Sequence, residues 1–535
     1  MATKYTRHYN TKVTPQSAPI PGKKMEKNSA GGYTFAVDDW TRLERFLILG
    51  ADGGTYYASE QKLTQENATC VKRCMDSDGV RTVDIITEVS TSGRAPKNDP
   101  ALFALAMCAG MGQHETRKAA LSKLSEVARI GTHLFTFLEY CKAFRGWGRG
   151  LRDTVAKWYN EKYPDQLAYQ LVKYQRREGW SHLDALRLSH PVPSSDAHSF
   201  LYGWVKNWIK EGDMVFKSNE IEVPKVLYGF VEAKLTSKKN ELINLITNCG
   251  LTHEMIPNEW KDKPEVWEAL LQTMPITAMI RNLGKMTSVG LLKPMSEASK
   301  LVCQRLKDVD RLIKGRVHPI TILVAQKTYA DGHGFKGGLT WKAVPQIIDA
   351  LDNAFYTAFK VVQPSNKRTL LALDVSSSMT CSTIAGTPLK PRQACAAMAL
   401  VTMNVEPDWG AMAFSHTFQP LNISPKMRLD TVMQTMDRIG FGGTDCSLPM
   451  VYAKNEGIDV DTFIVYTDNE TWAGRIHPYQ ALRGYRDKTG IPAKLIVVGM
   501  TATKFSIADP TDAGMLDVVG FSTDTPQVMS DFAKG

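Results

Sequence analysis

Apolar positions between residues 38 and 360 recur at three- and four-residue spacing, the period of a helix with one buried face. In "DDWTRLERFLIL" this puts Trp40, Leu43, Phe46 and Leu47 on one side behind an acidic start. In "NDPALFALAMCAGM" the spacing makes Asp99 the N-cap and Pro100 the first helical residue. Further helices are predicted at "ETRKAALSKLSEVARI", "GTHLFTFLEYCKAF", "RDTVAKWYNEKY", "DQLAYQLVKYQRR", "SHLDALRLSH" and "DAHSFLYGWVKNWIK". Helices of this length joined by short Gly- or Pro-containing turns describe stacked pairs of the HEAT kind. No consensus repeats at a fixed period, so an irregular all-α domain shares the same pattern.

Around residues 363–368 the pattern changes. Short continuous apolar runs at Leu370 to Leu373, Gly410 to Phe414, Phe463 to Tyr466 and Lys494 to Val498 predict buried parallel strands. Helical segments separate them at "PRQACAAMALVTMN", "MRLDTVMQTMDRI", "SLPMVYAKN" and "PYQALRGYRDK", the βαβ alternation of a doubly wound, Rossmann-like α/β sheet. The chain thus divides into an arm (1–37), a helical HEAT-like domain (38–362) and an α/β domain (363–535). The arm is polar, basic and rich in Pro and Gly; it reads as loose chain and not as a signal peptide. No apolar run reaches membrane-spanning length, and a cytoplasmic protein is expected.

Composition adds a polarity to this division. The 535 residues carry a net charge of +10. Residues 361–535 hold 15 Lys/Arg against 17 Asp/Glu, which leaves 50 against 38 in residues 1–360. The whole basic excess lies in the arm and helical domain, which points to a polyanionic partner there. Residues 141–190 have ten Lys/Arg against five Asp/Glu, interleaved with Trp147, Trp158 and Trp180. Lys173 and Arg177 fall four apart on one predicted helix, and Arg187 and His190 three apart on the next, past a break at Gly179. Two such helices could face one phosphate backbone, with aromatics or Arg planes stacking on unpaired bases. The plainer reading is a solvated basic face over core tryptophans. Nine cysteines are scattered; Cys70 and Cys74 lack a second pair of ligands, so reduced thiols and not a zinc site are expected.

The chemistry-bearing residues collect in the α/β domain. "LLALDVSSSMT" ends a strand on Asp374 and follows it with Ser376 and Ser378; "FIVYTDNE" ends another on Asp468; between them "GFGGTDCSLP" carries Thr444. Ligands of doubly wound sheets bind beyond the carboxyl ends of the strands, so three loops would converge there. Two carboxylates and three hydroxyls are hard oxygen donors that suit Mg²⁺, with a position open to an outside carboxylate or phosphate. Taken alone, the Asp-Ser stretch is also an ordinary approach to a helix N-cap. A phosphatase that uses a strand-terminal Asp as nucleophile wants a second acid two residues on, where this chain has Ser376. No Ser-His-Asp, Cys-His or Walker arrangement is present.

The order Asp374, Ser376, Ser378, then Thr444, then Asp468 resembles the metal-ion-dependent adhesion site of von Willebrand factor A domains. With "THLFTF", "AKWYNEK", "GWSHLDALRLSH", "RNLGKMT", "GGTDCSLPM" and "TDNETWAG", the chain from about Asp38 to Phe521 resembles the Ro autoantigen family of TROVE-module proteins, in a compact form similar to bacterial members. The resemblance implies a ring of HEAT-like repeats closed by the A domain, and no enzymatic activity. It implies binding of Y RNAs on the outer surface and of single-stranded ends of misfolded or structured RNAs at the central hole. It further implies an exoribonuclease partner such as polynucleotide phosphorylase, in RNA quality control, degradation or ribosomal RNA maturation. An acidic protein ligand at the metal site would be a further partner. The Y-RNA contacts carry over to Lys173, Arg177 and His190. A phosphoryl hydrolase at Asp374 and an A-domain interaction scaffold remain the alternatives.

Overall fold

Asp38 starts the helical domain, because its carboxylate accepts from the amides of Trp40 and Thr41, which the first turn would otherwise leave unpaired. The helix Asp39–Leu49 follows, burying Leu43, Phe46 and Leu47 as its spacing predicts, and also Arg45, which it does not predict. A computed structural model describes residues 13–51, 60–211, 223–315, 317–334, 337–357, 362–381, 383–384, 387–440, 442–520 and 524–535. Helices then succeed one another from Glu60–Ser92 to Pro345–Thr357, and most of the described connections are short. The helix Asp99–Met111 begins one residue earlier than its sequence suggests, after Asn98. Asn98 does not cap it with its side chain, which is engaged by the Val127 carbonyl and the Ser90 hydroxyl.

The helical domain closes on itself. His318 caps the helix Pro319–Asp331 by accepting the Ile320 amide on Nδ1, which leaves Nε2–H to donate to the Arg94 carbonyl at 3.1 Å. Arg94 follows the end of the long helix Glu60–Ser92, so the last helices meet the first.

The A domain is built on six strands: β1 (Thr369–Asp374), β2 (Trp409–Phe414), β3 (Phe418–Pro420), β4 (Thr462–Thr467), β5 (Lys494–Gly499) and β6 (Met515–Val519), in the order β6-β5-β4-β1-β2-β3. All neighbours are parallel except β3, an antiparallel edge strand ending on Pro420. Alternate residues of β1 serve opposite faces: Leu370 and Ala372 pack with Phe463 and Val465, while Leu371 and Leu373 join a core continuous with that of the helical domain. The predicted strands are all present. β3 and β6 were not predicted, being respectively too short and interrupted by Asp517.

The arm requires a correction. From Val13 onward it is bound to the A domain and is not loose. The strand Tyr33–Ala36 pairs antiparallel with Phe505–Ser506, Thr14 and Gln480 exchange hydrogen bonds, and Lys23 pairs with Asp509 at 2.5 Å. Its polar residues find partners on the folded domain, which no local pattern reveals. Residues 1–12 lie outside the described residues.

Burial depresses several histidines of the helical domain, two of them strongly. His182 stands between the Tyr159 hydroxyl (2.8 Å) and the Gln170 carbonyl (3.2 Å), and burial lowers its pKa to about 4. Burial, and then the Arg129 charge, lower His133 to about 4 as well. Unfolding frees both to protonate near 6.5, so their contribution to stability is full above that pH and is lost as pH falls toward 4. His182→Gln is expected to lower Tm at neutral pH yet flatten its decline between about pH 6.5 and 4.5. Calorimetry across that range checks the slope.

Candidate metal centre and nucleic-acid interface

After β1 the chain moves to β2 on one side, and later to β4 on the other, so the strand order reverses between β1 and β4. Both flanking strands deliver a carboxylate at that crevice, Asp374 as the last residue of β1 and Asp468 just past β4. Asp374 is wholly buried. One of its oxygens accepts the Ser376 amide at 2.9 Å and the other the Thr467 hydroxyl at 2.7 Å. Ser376 and Ser378 bring their Oγ atoms within 3.1 Å of each other, and the nearby Ser378 hydroxyl favours the charged form of Asp468. Burial, and then repulsion from Asp468, push Asp374 up to about 7. Burial raises Asp468 as well.

Thr444 is buried in the adjoining loop. Its carbonyl accepts the amides of Trp472 and Ala473, each at 3.0 Å, which laces it to the loop that follows Asp468. All five predicted oxygen-bearing residues are therefore brought to one end of the sheet. Two buried carboxylates whose charges repel, beside two converging hydroxyls, make a donor set that a small hard divalent cation would neutralise. Among the described residues no group of three or more His, Cys, Asp or Glu is arranged as a metal site. The cluster relies on hydroxyls instead.

Sequence reasoning missed two residues that hold this cluster. Thr467, which orients Asp374, precedes Asp468 in "TDNE" and was visible as a further hydroxyl at a strand end. Gln16 had no signal of its own. Carried by the arm and fully buried, it uses all four hydrogen-bonding positions: Nε2 donates to Asp445 Oδ1 (2.8 Å) and the Ile476 carbonyl (2.9 Å). Its Oε1 accepts from Thr471 Oγ1 (2.5 Å) and the Gly474 amide (3.1 Å). It thereby ties the Thr444 loop to the loop after Asp468.

The basic residues behave differently from one another. Lys173 ends the helix Pro164–Lys173, and its Nζ donates to the Tyr169 hydroxyl at 2.9 Å and lies 3.9 Å from Glu254. Burial opposes its charge, but the Tyr169 hydroxyl, Tyr174 and Glu254 outweigh burial and raise its pKa. Arg177 is not on that helix, contrary to the four-residue spacing. The chain leaves the helix at Tyr174 and forms a hairpin between Arg176–Arg177 and Trp180–Ser181, turning through Glu178 and Gly179 at φ 50° and 78°. Glycine takes that conformation without cost, and the turn exposes Arg177. His190 is not on the next helix either; it is the exposed left-handed cap of His182–Ser189. Trp158 is core, whereas Trp147 and Trp180 are half-buried and stacked with centroids 6.1 Å apart.

Comparison with known proteins matches this architecture. The TROVE domain model covers residues 26–248 and 248–331, and the model described as the Ro60 vWA domain covers 368–533. The chain belongs to the Ro60 family. Within it, the RNA-binding protein RO60 of Deinococcus radiodurans is 43% identical over 532 residues, 99% of either chain. The RNA-binding protein RO60 of Caenorhabditis elegans is 36% identical over 596 aligned residues, 98% of this chain and 92% of that one. The crystal structure of the Deinococcus radiodurans RO (RSR) protein superposes with a TM-score of 0.70 at 44% identity, covering 93% of this chain and 99% of that one. The compact form is thus that of a bacterial Ro-related protein. The TROVE match begins inside the arm, in accord with a Ro60 fold that includes part of it.

The raised pKa of Asp374 has a consequence for stability. The folded state favours its protonated form, so its contribution is full below the ordinary carboxyl value of 3.8 and is lost as pH rises through about 7. Asp374→Asn is expected to raise the Tm of chelator-treated protein by several degrees near pH 8, and by much less near pH 5. Thermal scans at the two pH values check it.

Proposed function

We propose that this chain is an RNA-binding protein, without catalytic activity, that holds Y RNAs on its helical domain and takes up single-stranded ends of misfolded or structured RNAs. The observation that carries the reading is end-to-end kinship with two RNA-binding Ro60 proteins, joined to a basic excess confined to the arm and helical domain. Arg177 and His190 are exposed and available to phosphates, while Lys173 is oriented by Tyr169. In this reading the bound RNA is passed to an exoribonuclease such as polynucleotide phosphorylase, in the cytoplasm. None of the nine cysteines is paired, which suits a reducing compartment, and among the described residues no helix is long and apolar enough to cross a membrane.

The oxygen cluster is proposed to hold Mg²⁺ through Asp374, Ser376, Ser378, Thr444 and Asp468, with a carboxylate of an acidic protein ligand completing its shell. A hydrolase is disfavoured because Ser376 stands where a general acid is needed. Mg²⁺-dependent phosphate release that disappears in Asp374→Ala would reverse this choice.

Lys173→Ala with Arg177→Ala should weaken Y-RNA binding roughly tenfold or more, and reduce the slope of log affinity against log salt by about 2. Filter-binding titrations at several salt concentrations measure both, and unchanged affinity refutes the assignment. For the metal, Mn²⁺ titration followed by electron paramagnetic resonance should show one site in the wild type and none in Asp374→Ala. Gln16→Leu should bind several-fold more weakly, because the loops it ties together lose their registration.

A further inference from the structure

Where the ends of the helical domain meet, a cavity of about 530 Å³ opens that neither the metal centre nor the Lys173 surface uses. One wall is the helix Ile276–Ser288, which contributes Arg281, Asn282 and Lys285 from the "RNLGKMT" stretch. A second comes from the helix Pro319–Asp331 and the following loop, with Trp341; Lys97, ahead of the helix Asp99–Met111, and Thr387 of the A domain complete the rim.

Among the described residues three cations line this cavity and no Asp or Glu does. Arg281 and Lys285 stand one turn apart on one helix, a spacing at which like charges repel. Among the described residues neither is held in an ion pair or hydrogen bond by its side chain. A fold spends stability on such a pair, and an anion would recover it. The Asn282 amide nitrogen is committed to the Ala278 carbonyl at 2.9 Å, which leaves its oxygen to accept a hydrogen bond.

The aromatic wall is rigid before any ligand arrives. Trp341 donates its indole N–H to the Tyr329 carbonyl at 2.9 Å and stacks on the Tyr329 ring with centroids 6.1 Å apart and planes at 21°. The Tyr329 hydroxyl is in turn bonded to Thr287 (2.9 Å) and to the Val344 amide (3.2 Å). Gly284 is what lets the indole press on the helix, since a Cβ there would lie 2.7 Å from the ring. An anion-binding edge beside a fixed flat apolar wall, in a volume within the range of small-ligand pockets, fits a phosphate joined to a base.

We infer that this cavity receives a single unpaired nucleotide, its phosphate on Arg281 and Lys285 and its base against Trp341. The inference rests on the RNA-binding reading and assigns it a subsite. Because the walls come from both ends of the helical domain and from the A domain, an occupant bridges the seam where the domain closes.

The test uses the full chain with a fluorescent ten-nucleotide oligouridylate, a blunt-ended RNA hairpin, and UMP as competitor. Arg281→Ala with Lys285→Ala, and separately Arg281→Gln in case the double variant folds poorly, should weaken oligouridylate binding about tenfold and hairpin binding less than twofold. Trp341→Phe should give an intermediate loss confined to the oligouridylate. Displacement of the oligouridylate by UMP would extend the pocket to free nucleotides; failure of UMP to compete would assign it to a nucleotide within a strand. Equal losses on both RNAs, or no loss on the oligouridylate, overturn the inference while leaving the RNA-binding reading intact. Absence of RNA binding by the wild type overturns both.

Discussion

A buried guanidinium can be kept only where its charge is answered, and Arg45 imposes that condition on the whole chain. It sits fully buried on the first helix, donates to the carbonyls of Thr503 (2.9 Å) and Phe505 (3.1 Å), and pairs with the Asp517 carboxylate on β6. The start of the helical domain is thereby locked to the far edge of the A-domain sheet. Arg428 to Asp349 (2.6 Å) joins the two domains again from the other end of the helices, but as an exposed pair that contributes little. The closed arrangement therefore rests on the Arg45 contact, on the shared apolar core and on the His318 contact with Arg94.

The same edge of the A domain takes up the arm. Its strand pairs beside Thr503 and Phe505, and Gln16 reaches from there into the loops around the carboxylate cluster. Asp374 and Asp468 repel in a buried site, where Asp374 is held by hydrogen bonds from Thr467 and Ser376. Those loops in turn depend on Gln16. The two carboxylates are thus held at the sheet crevice by neighbours drawn from three distant parts of the chain.

Elements with strong local patterns were readable. β1, β2, β4 and β5 are unbroken apolar runs because both their faces are covered, and the order of Asp374, Thr444 and Asp468 along the chain is enough to bring them to one end of a parallel sheet. β6 escaped notice because Asp517 breaks its apolar run, and Asp517 is there to answer Arg45. Arg177 and His190 were placed on helices because charge spacing is blind to the left-handed residues Glu178 and His190, whose conformation redirects the chain.

Helical and α/β grammar, the division of charge between the domains and the convergence of the oxygen-bearing residues on one sheet end were all legible in local residue order, since periodicity and composition act over a few turns or one strand. The closure of the helices, the docking of the arm, the role of Gln16 and the raised pKa of Asp374 were decided only by the folded whole. Each depends on groups hundreds of residues apart, or on burial, and neither distance in space nor exclusion of water is written in any short stretch of chain.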